Sequence, residues 1–273
     1  MRYLKITLAI AAVSLLSISC KTQYEILLSS SDVDAKYNAA MDYFGKKKYL
    51  KAAQLFESLS ILTSGTERDD TVQFYWGLSN YRNKDYYTAE SNFARFTENF
   101  PRSAFAADAQ FYRLDCLYRA TYRWELDQLP TRACMTSITE FMKERPDDVH
   151  IPACQRMLDD LQERLDKKDF EAGKLYYRME DYPAARVKLK NVLKTNANNV
   201  YREDVLYYTA MSSYHFARLS VEKKQKDRYL TFIDDYLNFV GEYPESGHRR
   251  ELDGLYRKAQ NILGRGGDVP GAE

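Results

Sequence analysis

A chain of 273 residues with 45% hydrophobic content has enough apolar material for a packed core and more length than one average domain needs. Eleven glycines and seven prolines make about 7% of it, against roughly 12% in ordinary usage, too few turn formers for a β-sandwich. The formal charge is +1, and without residues 1–20, which carry Arg2 and Lys5 and no acid, 38 bases face 39 acids. That balance lacks the basic footprint that neutralises phosphates, so nucleic acid is not expected as a partner.

The chain opens with Arg2 and Lys5, then the apolar run ITLAIAAVSLL, then small residues up to Cys20. Ile6 to Ser19 is 14 residues, short of the roughly 20 that cross a bilayer, so residues 1–19 read as a signal peptide. Leu16-Ser17-Ile18-Ser19-Cys20 resembles the cleavage box of a bacterial lipoprotein precursor, although its leucine stands one place early. That resemblance implies lipidation of Cys20, with palmitate among the acyl chains, and attachment to the membrane through the N-terminal lipid. The alternative is plain secretion. Lys21 and Thr22 carry no inner-membrane retention signal, which by the same resemblance sends the protein to the outer membrane, facing the periplasm. Residues 20–32 read as a tether. Of the other cysteines, Cys116, Cys134 and Cys154, at most one pair can bridge; all three read as small core residues, with a Cys116–Cys134 disulfide as the alternative.

From residue 33 a repeat sets in. Ala40, Ala52 and Phe56 recur as Gly77, Ala89 and Phe93, and again as Gly173, Ala185 and Leu189, with intervals of 12 and 4 each time. This resembles the tetratricopeptide repeat, in which a small residue on each of two helices lets the pair approach closely. A third, degenerate unit combines a helix over 104–123, an insertion with Trp124 and Pro130, and Cys134, Ile138, Phe141 and Pro146. A fifth joins helix 203–219, a charged turn EKKQKDR, and Phe232, Tyr236, Phe239 and Pro244. Prolines 101, 146 and 244 stop second helices, and a helix over about 247–263 caps the stack. The expected fold is all-α, a superhelical solenoid of about five helix pairs with a C-terminal cap and a disordered tail, 264–273.

Catalytic chemistry is missing from this text. His150, His215 and His248 have no partners at ligand spacing, no nucleophile or phosphate-loop motif occurs, and Gly264-Arg265-Gly266-Gly267 follows no strand. No enzyme activity, metal or cofactor is expected. Lys46-Lys47-Lys48 reads as a solvated turn. By resemblance to the repeat family, Tyr37, Met41 and Phe44, then Phe74, Leu78, Tyr81 and Arg82, line a peptide-binding groove, with inter-repeat packing as the alternative for each.

Signal, lipid cysteine, five repeats and the stops Phe100-Pro101-Arg102-Ser103 and Tyr243-Pro244-Glu245-Ser246 together resemble the BamD family of outer-membrane lipoproteins, which serves β-barrel protein assembly. The resemblance spans 16–263 and includes LDQLPTRACMTSITEFMKERPD, where Thr131-Arg132-Ala133 departs from the family's spacing. It implies that residues 33–150 take C-terminal signals of unfolded outer-membrane proteins, and that 151–263 dock a BamA-like barrel subunit. Arg202 loosely matches a docking arginine of that family; an ion pair at a helix start explains it equally. The competing reading is another tetratricopeptide envelope lipoprotein, organising cell-wall or polysaccharide machinery.

Overall fold

The computed structural model describes residues 23–264. The signal peptide, Cys20 and the tail beyond Gly264 lie outside them. Among the described residues there are twelve α-helices and no strand: α1 (Gln23–Ser29), α2 (Val33–Gly45), α3 (Tyr49–Leu62), α4 (Asp69–Arg82), α5 (Tyr86–Asn99), α6 (Ala106–Arg119), α7 (Leu129–Glu144), α8 (Ile151–Arg178), α9 (Tyr182–Thr195), α10 (Arg202–Arg218), α11 (Glu222–Glu242) and α12 (Arg249–Ile262). None of these helices is long and apolar enough to cross a membrane.

Five helix pairs, α2/α3 to α10/α11, and the closing α12 match the repeat grammar. The described residues divide into two compact units, 23–121 with 136–150, and 122–135 with 151–264. Residues 122–135, which the repeat spacing leaves with the first half, thus count with the second.

Within each pair the small residues do what close approach requires. A Cβ on Gly77 would come to 2.9 Å from the Phe93 ring, and one on Gly173 to 2.6 Å from Leu189 Cδ2. Ala40, Ala52, Ala89 and Ala185 are fully buried at the equivalent places. The turns between paired helices pass through a left-handed residue, Lys47 (φ 58°), Lys84 (φ 67°) or Glu180 (φ 60°). In two of them an aspartate then caps the next helix: Asp85 accepts from the Thr88 N–H and Asp181 from that of Ala184. Lys48 occupies the same place before α3 and makes no side-chain cap.

Two expectations are corrected. Residues 23–29, part of the expected tether, form α1 and pack on the first pair. The Tyr24 hydroxyl donates to Gln54 Oε1 at 2.6 Å, and Lys36, 1% exposed, donates from Nζ to the Leu28 carbonyl (3.1 Å) and Ser58 Oγ (2.7 Å). Burial lowers the Lys36 pKa, since only neutral acceptors surround the ammonium. EKKQKDR is no turn but the first two turns of α11, because it holds neither glycine nor proline and its charges face solvent without interrupting the helix.

The insertion after α6 is built, not loose. Lys168 Nζ donates to the carbonyls of Trp124, Glu125 and Leu126, and the buried Gln128 amide to those of Arg123 and Leu126. Cys116, Cys134 and Cys154 are all buried. Burial, then the neighbouring Asp115, push the Cys116 thiol up to about 12.

Candidate interaction surfaces

The first helix of each pair carries one aromatic that is covered by the residue closing the loop before the following pair. These residues are Tyr37, Phe74 and Phe111, spaced by 37, then Phe170 and Tyr207, again spaced by 37. The residue just before the following first helix lies on each of them. Arg68 stands over Tyr37 with its guanidinium carbon 5.3 Å from the ring centre. Phe105 stacks on Phe74 (4.5 Å, 12°), His150 on Phe111 (4.0 Å, 16°), Tyr201 on Phe170 (5.2 Å, 7°) and His248 on Tyr207 (4.0 Å, 18°).

A side chain two places earlier pins each stacking residue by accepting its backbone N–H: Thr66, Ser103, Asp148, Asn199 or Ser246. Ser103 also donates to Asp70, and Ser246 to Glu203, at 2.7 and 2.6 Å. The two Pro-x-Ser stops are therefore joints between repeats, in which one hydroxyl both accepts and donates.

This joint takes up two residues of the expected groove. Phe74 is 4% exposed, packed against Phe93, Phe96 and Phe105, and Leu78 is 8% exposed in the same cluster. Both are buried in the packing of α4 against its neighbours. Met41 and Phe44 are half-buried against the α2/α3 core, and Tyr37 is half-buried beneath Arg68. Arg82 is exposed.

Tyr81 belongs to a denser arrangement. Its hydroxyl donates to Asp115 Oδ2 at 2.6 Å, the oxygen that also accepts from Arg119 Nε at 2.5 Å. Burial and then this bond raise the Tyr81 pKa above the usual tyrosine range. Arg119 stands over Tyr86, 4.9 Å from its ring centre, and Tyr112 packs against Tyr81 at 4.9 Å. Asp115, Arg119 and Tyr112 escaped the sequence reading. The 37-residue aromatic spacing is the signal that could have found the joints, but nothing in sequence marks the charge shared across α4 and α6.

In the second unit Arg202, at the start of α10, forms a two-bond ion pair with Glu242 (2.6 and 2.7 Å) and donates to the Ala197 carbonyl at 2.7 Å. This is the helix-start ion pair weighed in the sequence. The pair lowers the Glu242 pKa, the Arg202 bond being the largest cause.

The described residues hold no group of three or more His, Cys, Asp or Glu able to bind a metal. The described helices are stacked pairs with aromatic joints, the architecture of a helical repeat protein. The chain matches the family described as YfiO, outer membrane lipoprotein, over residues 30–228, most of its length, and it belongs to that family. No curated protein matches it. Among solved structures, a chain of the "TPR2AB-domain:pHSP90-complex of yeast Sti1" is similar at 13% identity and a TM-score of 0.42, covering 84% of this chain and 98% of that one. That likeness is too slight to carry a functional conclusion.

Proposed function

We propose that the protein is a non-enzymatic scaffold of outer-membrane β-barrel protein assembly, anchored through a lipid on Cys20 and facing the periplasm. It receives C-terminal signals of unfolded outer-membrane proteins and docks a BamA-like barrel subunit. The family match over residues 30–228 is the observation that carries this reading. Paired helices with aromatic joints give it a means, since rigid repeats present preorganised side chains and so lower the entropic cost of binding.

For the substrate side, the accessible part of the expected groove is Tyr37, Met41, Phe44, Tyr81 and Arg82. For the docking side, Arg202 reaches a partner together with Glu242, as a preformed pair. Pull-down from detergent-solubilised envelopes recovers a BamA-like barrel protein if the proposal holds. Reproducible recovery of an unrelated partner in its place sinks it. Arg82→Glu should weaken capture of C-terminal peptides of outer-membrane proteins, and unchanged affinity would remove this face from the proposal.

A further inference from the structure

The second unit holds a feature that the repeat does not need. Between α9, α10 and α11 lies a cavity of about 220 Å³ lined by Pro183, Arg186, Val187, Ser213, Phe216, Arg228 and Thr231. It is smaller than the roughly 300–1,000 Å³ of small-molecule sites, and fits one apolar side chain. Phe216 contributes an aromatic wall and Arg228 covers it, the guanidinium carbon 3.7 Å from the ring centre and an Nη held by Ser220 Oγ. Val187, one of the lining residues, is 60% exposed, so the slot is open to solvent on that side.

Basic residues outnumber acidic ones around this slot. Helix α9 carries Arg186, Lys188, Lys190 and Lys194 and no acid, although the whole chain is nearly neutral. Asp235, 1% exposed at its side chain, is the buried counter-charge, and Arg186 and Lys190 share it at 2.7 Å each. One carboxylate cannot neutralise two cations. Lys188 faces α8 instead, where it pairs with Asp169 at 3.4 Å. Helix α11 adds Lys223, Lys224, Lys226 and Arg228 against Glu222, Asp227 and the exposed Asp234.

We propose that this slot receives one apolar side chain from an acidic stretch of a partner polypeptide, with Arg228 and the cations of α9 holding the flanking carboxylates. The apolar wall supplies the anchor and the surplus charge the selection, the division of labour found at interface hot spots. An acyl chain would need more apolar volume than this slot of about 220 Å³ provides. The proposal stands independently of the barrel-assembly reading.

The test uses the detergent-solubilised full chain and a short peptide with one photo-leucine flanked on each side by two acidic residues. Crosslinks read by mass spectrometry should fall on residues 183–187, 213–216 and 228–231. A peptide flanked by lysines should give none there, and Val187→Asp, at an exposed position that folding tolerates, should cut the yield at least five-fold. Arg228→Gln, which keeps a polar group for Ser220, should also lower it. Equal crosslinking by the lysine-flanked peptide, crosslinks elsewhere, or an unchanged yield with Val187→Asp would overturn the proposal. Phosphatidylglycerol vesicles binding the wild type but not Val187→Asp, with no peptide crosslinked, would also overturn it and assign the patch to lipid.

Discussion

The two units build the same aromatic corner and load it differently. In the first, Tyr81 meets Tyr86 edge-on (5.6 Å, 67°) and Tyr112 packs on Tyr81; in the second, Tyr177 meets Tyr182 with the same geometry (5.6 Å, 67°) and Tyr208 packs on Tyr177. Seven residues after Tyr112 stands Arg119, over Tyr86; seven after Tyr208 stands His215, stacked on Tyr182 at 4.8 Å. Three after Tyr112 is Asp115, and three after Tyr208 is the buried Met211. The frame is set by ring packing, and what it carries is interchangeable: a hydrogen-bonded ion pair in one unit, an apolar contact with a titratable ring in the other.

The largest expected effect comes from breaking the first arrangement on one side only. Asp115→Ala leaves the Tyr81 hydroxyl and Arg119 without their acceptor and should cost about 2–3 kcal/mol in urea unfolding, the low end for a buried pair because Arg119 is partly exposed. Installing the second unit's choice whole, Asp115→Met with Arg119→His, should return stability to within about 1 kcal/mol of wild type, since apolar replacement of a buried pair is often neutral. If the double variant is as unstable as Asp115→Ala, the corners are not equivalent.

Tyr81→Phe removes one bond and keeps the ion pair, so a loss of about 1 kcal/mol is expected. A gain of similar size should follow from Lys48→Asp, which gives α3 the cap that α5 and α9 already have, worth about 1 kcal/mol in a thermal melt. No gain would mean that the first turn differs from its counterparts in more than sequence.

The smallest effect separates the corners by pH. Burial, then Arg218, hold the His215 pKa below its ordinary value of 6.5. A folded value below the unfolded one means that acidification protonates the unfolded chain first. Stability is therefore full above about pH 6.5 and falls as pH drops toward the folded value. Between pH 7.5 and 5.5 the melting temperature of His215→Gln should fall less than that of the wild type. Parallel curves would deny His215 this role.

The repeat was legible because close helix approach leaves a mark in sequence: a small residue twelve places before another, then a bulky one four places on. The stops at Pro101, Pro146 and Pro244 were legible for the same reason, proline's exclusion from continued helix. Contacts between repeats were not, because they join residues 31 to 41 apart whose chemistry varies from Arg68 to Phe105 to His150 while the geometry stays constant. Phe74 and Leu78 fit a groove position on one helix in isolation, and only the neighbouring repeat buries them. EKKQKDR reads as a turn only if charge alone breaks a helix; without glycine or proline the helix continues through it.

Helix α1 bears on how such a protein stands at a membrane. It begins at Gln23 and is bolted to the first pair through Tyr24 and Lys36. With the lipid on Cys20, only a few peptide units would separate the acyl chains from this bolted helix, a reach of about 10 Å at full extension. The first repeat would ride close against the bilayer like a boat on a short mooring, and lengthening that mooring by twenty flexible residues would show whether nearness to the surface is part of the job.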